Sequence, residues 1–295
     1  MIIRQIRVEN PSERIRISDY VFEYFTSYLP SKSSVKKAFK KQLILLNNQI
    51  AQSGDWLSEN DVVALLEDAT AQYKDFPLDL EIICEDEYLA VIKKPAGYSV
   101  SGNFFKTIQN ALSHNLKASS LDDALSIPRP VHRLDKLTSG ILLVAKTRRA
   151  QIYLGSQFEN QEVLKTYYAL VKGSLEGEGE FDSAVDGQLA YTSYKSLRVE
   201  RSLSYDKVSL IELKPKTGRT HQLRIHLAKA GHPIIGDYVH DTENVLKGKG
   251  LFLSACKISF KHPETKEVLS FELRIPNKYD SLFEREHRRW EKFKA

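Results

Sequence analysis

The sequence predicts an α+β protein with a small N-terminal domain, residues 1–68, and a larger domain, residues 80–295. Short apolar runs of four or five residues, typical of strands, alternate with segments whose apolar residues recur at helical spacing. Residues 69–79 show weak periodicity and contain Pro77, so we expect a linker there. At 295 residues the chain is long enough for one large and one small domain.

The composition is that of an ordinary soluble globular protein, with 42% apolar and 27% charged residues. The formal net charge of +5 permits a polyanionic partner without requiring one. Cys84 and Cys256 are far apart, which argues against a disulfide framework or a zinc ribbon. Neither a signal peptide nor an apolar run of bilayer length is visible, so we expect a cytoplasmic protein without membrane attachment.

The N-terminal domain carries a basic helix, predicted between Ser31 and Gln42. Its lysines are Lys32, Lys36, Lys37, Lys40 and Lys41. Lysines this close repel one another by roughly a few tenths of a kcal/mol per pair, and a phosphate backbone would relieve that repulsion. A solvated helix face is the alternative interpretation.

Short strands are predicted at 43–46 and 62–66, the first followed by a turn at Asn47-Asn48, since asparagine tolerates positive φ. Basic helix, strand, asparagine turn and strand resemble the small RNA-binding module named after ribosomal protein S-four. The resemblance spans roughly residues 14–68, with Asn48 and Asn60 where that family commonly has glycine.

The larger domain is organised around residues 131–147, where a polar loop leads into an apolar run, Ile141 to Ala145. A run that short, rich in branched residues, predicts a strand buried on both faces. Asp135, in the loop, needs a cationic partner, because burying a lone carboxylate costs several kcal/mol. Local pairing with Arg133 or Lys136, or capping of Thr138–Gly140, is the alternative. Lys94 stands at the end of another predicted strand, 89–92, before a sharp bend.

Two further stretches carry candidate site residues. In a strand over 165–172, Tyr167 and Tyr168 point to opposite faces, so one of them should face the interior. A helix over 221–230 should begin at an N-cap, Thr220, and stop at Gly231. Its N-terminus, with Arg219, Thr220 and His221, is a potential anion site. Arg224 should border the core as a partner for a buried carboxylate; a solvated position is the alternative.

The remaining predicted elements are a strand over 80–84, a strand over 209–214 and helices over 106–116, 148–160 and 281–295.

The residue inventory narrows the chemistry. There is no phosphate-binding Walker loop and no dinucleotide fingerprint, and the histidines from His221 to His240 fit no common zinc spacing. One carboxylate on a rigid loop, an internal arginine, an aromatic residue and much basic sequence remain. That set suits a flat, anionic substrate, because an aromatic ring can stack on a base and a carboxylate can attack carbon.

Five motifs in order resemble the signature of the RluA-type pseudouridine synthases, over roughly residues 80–276. They are Lys94-Pro-Ala-Gly97, His132-Arg-Leu-Asp135-x-x-Thr138-Ser-Gly140, Lys165-x-Tyr167-x-Ala169-Leu-Val171, Thr217-Gly-Arg-Thr-His-Gln-x-Arg224-x-His226 and His232-Pro-x-x-Gly236-Asp237. The resemblance implies a large mixed, mostly antiparallel sheet and isomerisation of uridine in RNA, with no cofactor and no metal. The chain departs from the pattern at Arg129-Pro130, at Ser254 and at Tyr238-Val-His240.

The same resemblance assigns roles to particular residues. Asp135 matches the family's catalytic aspartate, Tyr167 the tyrosine that stacks on the uracil, and Arg224 the arginine that pairs with the aspartate. Arg133 matches the arginine that fills the space left by the flipped nucleotide. An arginine within about 4–6 Å favours the ionised form of a carboxylate. Attack at C1′ of the ribose, attack at C6 of the uracil and elimination to a glycal all stay open.

We therefore expect a monomeric RNA pseudouridine synthase acting on structured RNA, ribosomal RNA first and tRNA second, by analogy. The predicted RNA-binding residues are Arg133, Lys94, Arg219, His221 and the lysines Lys32, Lys36, Lys37, Lys40 and Lys41. Two alternatives from other classes are a non-catalytic RNA-binding or assembly factor and a metal-dependent RNA hydrolase that uses the histidines.

Overall fold

The computed structural model describes residues 2–9, 15–25, 28–29, 31–66, 75–241 and 248–293. The chain divides into two compact units, residues 1–73 and 74–295. No helix within these described ranges is both long and apolar enough to cross a membrane.

The first unit contains β1 (Ile2–Arg7), α1 (Ile17–Tyr24), α2 (Lys32–Lys40), β2 (Ile44–Leu46), β3 (Gln49–Ile50) and β4 (Val62–Leu66). The second begins with β5 (Glu81–Glu85), β6 (Leu89–Lys94), α3 (Ile108–Asn115), β7 (Ala124–Pro130), β8 (Ser139–Thr147), α4 (Arg148–Glu159) and β9 (Leu164–Lys172). It continues with β10 (Glu178–Phe181), β11 (Thr192–Ser202), β12 (Asp206–Pro215), α5 (Gln222–Lys229), β13 (Leu253–Lys261), β14 (Val268–Glu272) and α6 (Lys278–Phe293).

The N-terminal unit is a four-stranded antiparallel sheet, in the order β1-β4-β2-β3, with two helices packed against it. Helix α2 begins at a reciprocal pair of bonds between Ser31 and Ser34, which satisfies two backbone donors. Asn47 and Asn48 have φ of 49° and 66°, so the predicted asparagine turn is confirmed. Strand β1 and helix α1 were not predicted.

The larger unit is built on a ten-stranded sheet in the order β10-β11-β12-β9-β13-β8-β6-β5, with β14 beside β13 and β7 beside β8. Among its named strands β8 and β13 run parallel, whereas the other paired strands run antiparallel. This confirms the predicted α+β class with a mixed, mostly antiparallel sheet.

Strand β8 is buried on both faces, as its apolar run predicts. Leu142 and Val144 pack in the cluster that includes α3, and Ile141 and Leu143 pack with residues of α4 on the other face. Each helix starts at a threonine, Thr107 for α3 and Thr147 for α4, whose side chain caps it. The strand and the loop before it are therefore held between two layers.

Gly140 fixes the join between β8 and β13. It has φ of +124°, and a Cβ there would lie 2.1 Å from the carbonyl oxygen of Ala255. Ala255 pairs with Gly140 on one side and with Tyr167 on the other. Strand β13 therefore brings the loop before β8 and the strand β9 to either side of one backbone position.

The predicted linker, residues 69–79, falls outside the described residues as far as position 74. Residues 75–79 have no regular structure. Phe76 is nevertheless buried in the same cluster as α3, and its backbone N–H donates to the carbonyl of Asn110. These residues thus pack as part of the larger unit.

Candidate active site

A cavity of about 420 Å³ opens in the larger unit between the loop before β8, strand β9 and the segment that leads into α5. Asp135, Tyr167 and Arg224 all line it, together with Arg133, Arg219 and His221. Three segments that are distant in sequence thus place the predicted catalytic residues around one space.

Arg224 connects two carboxylates. Its Nη1 lies 3.5 Å from Oδ2 of Asp135, while its Nε and Nη2 each donate a 2.7 Å hydrogen bond to Asp237. Burial alone would lower the pKa of Arg224, but the hydrogen bonds and charge of Asp237 hold it above its ordinary value. Arg224 is therefore clamped by Asp237 and presents its remaining nitrogen to Asp135.

Asp237 was not predicted to hold the arginine. It is 1% exposed, and the hydrogen bonds and charge of Arg224 outweigh its burial, so that the pKa of its carboxyl lies below its usual range. The sequence signal was present at the end of the His232-Pro-x-x-Gly236-Asp237 motif. The role of Asp237 could not be inferred from that motif, because the spacing does not show that the loop carrying Asp237 returns to α5.

The N-terminus of α5 differs from its prediction. The helix begins at Gln222, and its N-cap is His221 in the left-handed region with φ of 56°, so the prediction of Thr220 as N-cap is wrong. Gln222 is the reason: its buried side-chain oxygen accepts from the Thr217 hydroxyl and from the Arg219 N–H. These bonds fold the basic turn tightly and leave the His221 ring facing the cavity. The predicted stop at Gly231, which has φ of 81°, is confirmed.

His221 links Asp135 to a second histidine. Its Nε2 lies 3.9 Å from Oδ2 of Asp135, and its Nδ1 lies 3.0 Å from Nε2 of His240. The backbone N–H of His240 donates to Asp237 over 3.2 Å. Burial lowers the pKa of His240. With Arg224 these contacts form a closed ring of which Asp135 is one member.

Tyr167 faces the cavity from β9, and its neighbour Tyr168 packs on the other side of the strand. Burial, and then the charge of Asp135, raise the pKa of Tyr167. Its phenol therefore stays neutral around pH 7 and offers an uncharged aromatic face next to the carboxylate. Tyr168 is buried and Tyr167 is half-buried at the cavity wall, so the expectation that one of the two faces the interior is confirmed.

Lys94 does not occupy an RNA-contacting position. The side chain is fully buried, and its Nζ donates to the carbonyls of Pro95, Lys136 and Thr138 over 3.0, 3.3 and 2.8 Å. Burial lowers its pKa to about 8, and the charge of Asp135 opposes that shift. Its prediction as an RNA-binding residue is wrong, because the ammonium is used to hold the loop that carries Asp135.

The other predicted binding residues are exposed or line the cavity. Arg133 is exposed at the cavity wall, and Arg219 reaches back to donate to the carbonyl of Leu189 over 3.2 Å. The predicted lysines of α2 are all exposed, on the other unit. Within the described residues no three His, Cys, Asp or Glu side chains are grouped in a way that could hold a metal ion.

His132 holds the start of the loop that carries Asp135. Its Nε2 accepts a 3.0 Å hydrogen bond from the backbone N–H of Leu143, and its ring stacks on Phe158 with centroids 4.7 Å apart. The side chain thus takes the place of a strand partner where the chain leaves β7. Burial, and then the charge of Lys165, lower the pKa of His132 to about 3.

This shift makes the stability of the protein depend on His132 at acid pH. Above pH 6.5 the imidazole is neutral in both the folded and the unfolded chain, so the full stability is present. As pH falls from 6.5 towards 3, the unfolded chain takes up the proton and the folded chain does not. We expect His132 to lower the free energy of unfolding by about 1.4 kcal/mol for each unit that the pH falls in that window.

Urea unfolding of wild-type protein and of His132→Asn between pH 8 and pH 4 measures this effect. The difference in unfolding free energy between the two proteins should shrink as the pH falls, because asparagine does not titrate. Two curves that stay parallel across the window would show that His132 is not held neutral.

The chain is similar in sequence to known RNA pseudouridine synthases. A family described as RNA pseudouridylate synthase matches residues 88–229. An uncharacterised RNA pseudouridine synthase of Aquifex aeolicus is 31% identical, over 95% of this chain and 96% of the relative. The tRNA pseudouridine synthase C of Vibrio vulnificus is 34% identical, over 70% of this chain and 95% of the relative.

A ribosomal relative and a solved structure also match this chain. The ribosomal large subunit pseudouridine synthase D of Neisseria meningitidis serogroup B is 32% identical over 84% of this chain and 72% of the relative. Among solved structures, human RNA pseudouridylate synthase domain containing 4 has a TM-score of 0.54 at 24% identity, over 70% of this chain and 92% of that one. That likeness shows that the two chains share a fold.

Proposed function

The chain belongs to the RluA-type family of RNA pseudouridine synthases, and we propose that it isomerises uridines in structured RNA through Asp135, Tyr167 and Arg224. Family membership makes it an isomerase that acts on RNA. The observation that carries the finer proposal is the carboxylate of Asp135, which faces a cavity between the ring of Tyr167 and the guanidinium of Arg224.

The geometry suits a carboxylate that must form and break a bond. Asp237 takes the two short hydrogen bonds of Arg224, and Asp135 keeps the longer contact of 3.5 Å. Arg224 therefore supplies a positive charge near Asp135 without engaging the carboxylate oxygens in a tight clamp. Asp135 is left free to attack the ribose at C1′ or the uracil at C6.

Tyr167 suits the detached base. The reaction requires the uracil to separate from the ribose, turn, and rejoin through C5 while it remains in the cavity. A neutral aromatic ring holds a flat base by stacking and allows it to rotate in its own plane. The phenol of Tyr167 is neutral around pH 7 as in any tyrosine, and burial moves its pKa further upward.

We propose ribosomal RNA as the substrate, with tRNA as the second candidate. The larger unit makes up about three quarters of the chain. The alignment with the ribosomal large subunit synthase D covers 84% of the chain and so extends into the N-terminal unit, whereas 70% is covered for the tRNA synthase C. This synthase D, named for the ribosomal large subunit, thus shares more of the chain than the tRNA synthase C does, while two other synthases D are matched over 70% of it.

We also propose that the N-terminal unit binds RNA through α2. Its four lysines, Lys32, Lys36, Lys37 and Lys40, and the C-cap residue Lys41 are exposed, while Val35 and Ala38 are buried. One face of the helix is therefore a dense positive surface, and phosphate groups would neutralise it.

Removing three of these charges together tests that proposal. Lys36→Gln, Lys37→Gln and Lys40→Gln should weaken RNA binding at least about tenfold at low salt. The slope of log K against log salt should fall by about 0.9 per lost phosphate contact on duplex RNA. Filter binding between 50 and 300 mM KCl measures both. The matched triple variant with arginine keeps the charges and should bind as wild type does; an unchanged slope in the glutamine variant rules the surface out.

The experiment that tests the function maps the product. Purified protein is incubated with total RNA from a strain that lacks the gene, and pseudouridine is located by carbodiimide-stop sequencing. New sites in ribosomal RNA support the proposal and identify the uridine; new sites in tRNA alone correct the substrate. No new sites in RNA that the protein demonstrably binds would favour the non-catalytic factor, and cleavage that a chelator blocks would favour the hydrolase.

A further inference from the structure

We propose that Lys165 binds a phosphate group of the RNA strand inside the active-site cavity, next to the uridine that reacts. The inference rests on the proposed function of this cavity. It concerns the RNA backbone, whereas the roles proposed for Asp135, Tyr167 and Arg224 concern the ribose and the uracil. It starts from the position of one lysine that the mechanism does not use.

Lys165 lies two residues before Tyr167 on β9, and both side chains line the cavity. Alternate residues of a strand point to the same face, about 6.6 Å apart along it. A nucleotide whose base stacks on Tyr167 therefore has its neighbouring backbone within reach of the Lys165 ammonium.

The charge of Lys165 has no counter-ion in the described part of the chain. The side chain is half-buried, and its recorded partner is the ring of Phe158, with Nζ 5.8 Å from the centroid. Burial lowers the pKa of Lys165, and no carboxylate offsets that effect. The same charge contributes to the low pKa of the neighbouring His132.

The other lysines that are buried or half-buried in the part of the chain that the structure describes have acceptors. Lys94 and Lys278 donate to backbone carbonyls, and Lys146 donates to the carboxylate of Glu85 over 2.8 Å. A half-buried ammonium is partly withdrawn from water and costs free energy when it has no acceptor, so a fold normally supplies one. That this fold leaves Lys165 without one, in the cavity wall, indicates that a ligand supplies the acceptor.

An RNA phosphate fits this requirement best. The wall that faces the opening is cationic, with Arg133, Lys216 and Arg219, and such a lining attracts a polyanion. Glu159 is the carboxylate at the α4 end of the same cavity, and it forms no ion pair with Lys165. A uracil carbonyl oxygen is the competing acceptor, and it carries no net charge to balance the ammonium.

The first measurement is salt-dependent binding of fluorescein-labelled pentauridylate, followed by fluorescence anisotropy, to wild type, Lys165→Met and Lys261→Met. Lys261 is an exposed lysine at the far end of β13 and serves as the control for loss of one charge. Lys165→Met should bind about tenfold more weakly at low salt. Its slope of log K against log salt should be smaller by about 0.7, the value for one phosphate contact on a single strand. Lys261→Met should match wild type.

The second measurement identifies the acceptor. Pentauridylates that carry one uncharged methylphosphonate linkage, placed at each position in turn, should bind wild type about tenfold more weakly at one position. Lys165→Met should show no further loss at that position, and Lys165→Arg should regain the wild-type pattern in part. Losses that add to the effect of Lys165→Met, or an unchanged salt slope, would overturn the proposal and point to a uracil oxygen. Failure of wild type to bind pentauridylate would overturn it as well.

Folding does not confound these comparisons, since methionine keeps the length of the side chain and removes a half-buried charge that has no counter-ion. The midpoint of thermal unfolding of Lys165→Met should equal or exceed that of wild type. The test is also independent of isomerisation, because a wild-type protein that binds the oligonucleotide through Lys165 and makes no pseudouridine would refute the proposed activity while leaving the phosphate site in place.

Discussion

Asp135→Asn should lower the rate of pseudouridine formation by at least about 1,000-fold, or about 4 kcal/mol of transition-state stabilisation. The amide has nearly the shape of the carboxylate but does not act as a nucleophile. Arg224 keeps its two hydrogen bonds to Asp237, so no buried charge is left unpaired and RNA binding should change by less than a few fold. Release of tritium from RNA labelled at C5 of uridine measures the rate, because that hydrogen leaves when C5 becomes the glycosidic carbon.

Asp186→Asn is the matched control for this prediction. Asp186 is exposed, with φ of 50°, a conformation that asparagine adopts readily. Its activity and stability should equal those of wild type. If Asp135→Asn retained a tenth or more of the wild-type rate, the bond-forming role would have to move to another group in the cavity.

Gly140→Ala should destabilise the larger unit by at least about 3 kcal/mol. Alanine at φ of +124° is strained, and its Cβ would meet backbone atoms of Ala255, the nearest of them at 2.1 Å. Relief of the clash requires β8 and β13 to separate, which would displace Asp135 from Tyr167. Urea unfolding monitored by circular dichroism, with the tritium assay in parallel, should show both losses.

Gly155→Ala, in the same unit, should have the opposite effect on stability. Gly155 lies inside α4, and a Cβ there would have no atom within 4 Å. Alanine should therefore stabilise the protein by about 0.5–1 kcal/mol through helix propensity. Equal effects at the two glycines would contradict the close approach of β8 to β13.

The sequence was most informative where a local pattern decides the structure. Ile141 to Ala145 form an apolar run that requires burial on both faces, and β8 has it. Strand β11 was not predicted, because in Thr192–Ser202 exposed charged residues interrupt any alternation. Its pairing with β12 is set by the neighbouring chain, which no local pattern describes.

Some residues of the candidate site could be predicted from the sequence, and others could not. Asp135, Tyr167 and Arg224 were identified from motifs, and the structure places them around one cavity. The roles of Lys94 and Asp237 could not be predicted from the sequence. Lys94 binds the carbonyl of Pro95 and two carbonyls in the loop that carries Asp135, and Asp237 lies on a loop that returns to α5. Residue type predicts that a group is charged, and only the tertiary structure shows what it faces.

The position of β13 also fixes when the site can form during synthesis. β13 separates β8 from β9 in the sheet, yet it is made after both, and its last residue is 261. At about 5–20 residues per second, the ribosome needs several seconds to extend the chain from the end of β9 to that point. During this interval β9 presents an unpaired edge, and β8 lacks the partner of Ser139 and Gly140. An unpaired edge is a template for wrong association. We therefore expect nascent chains that end before β13 to be inactive and to depend on chaperones.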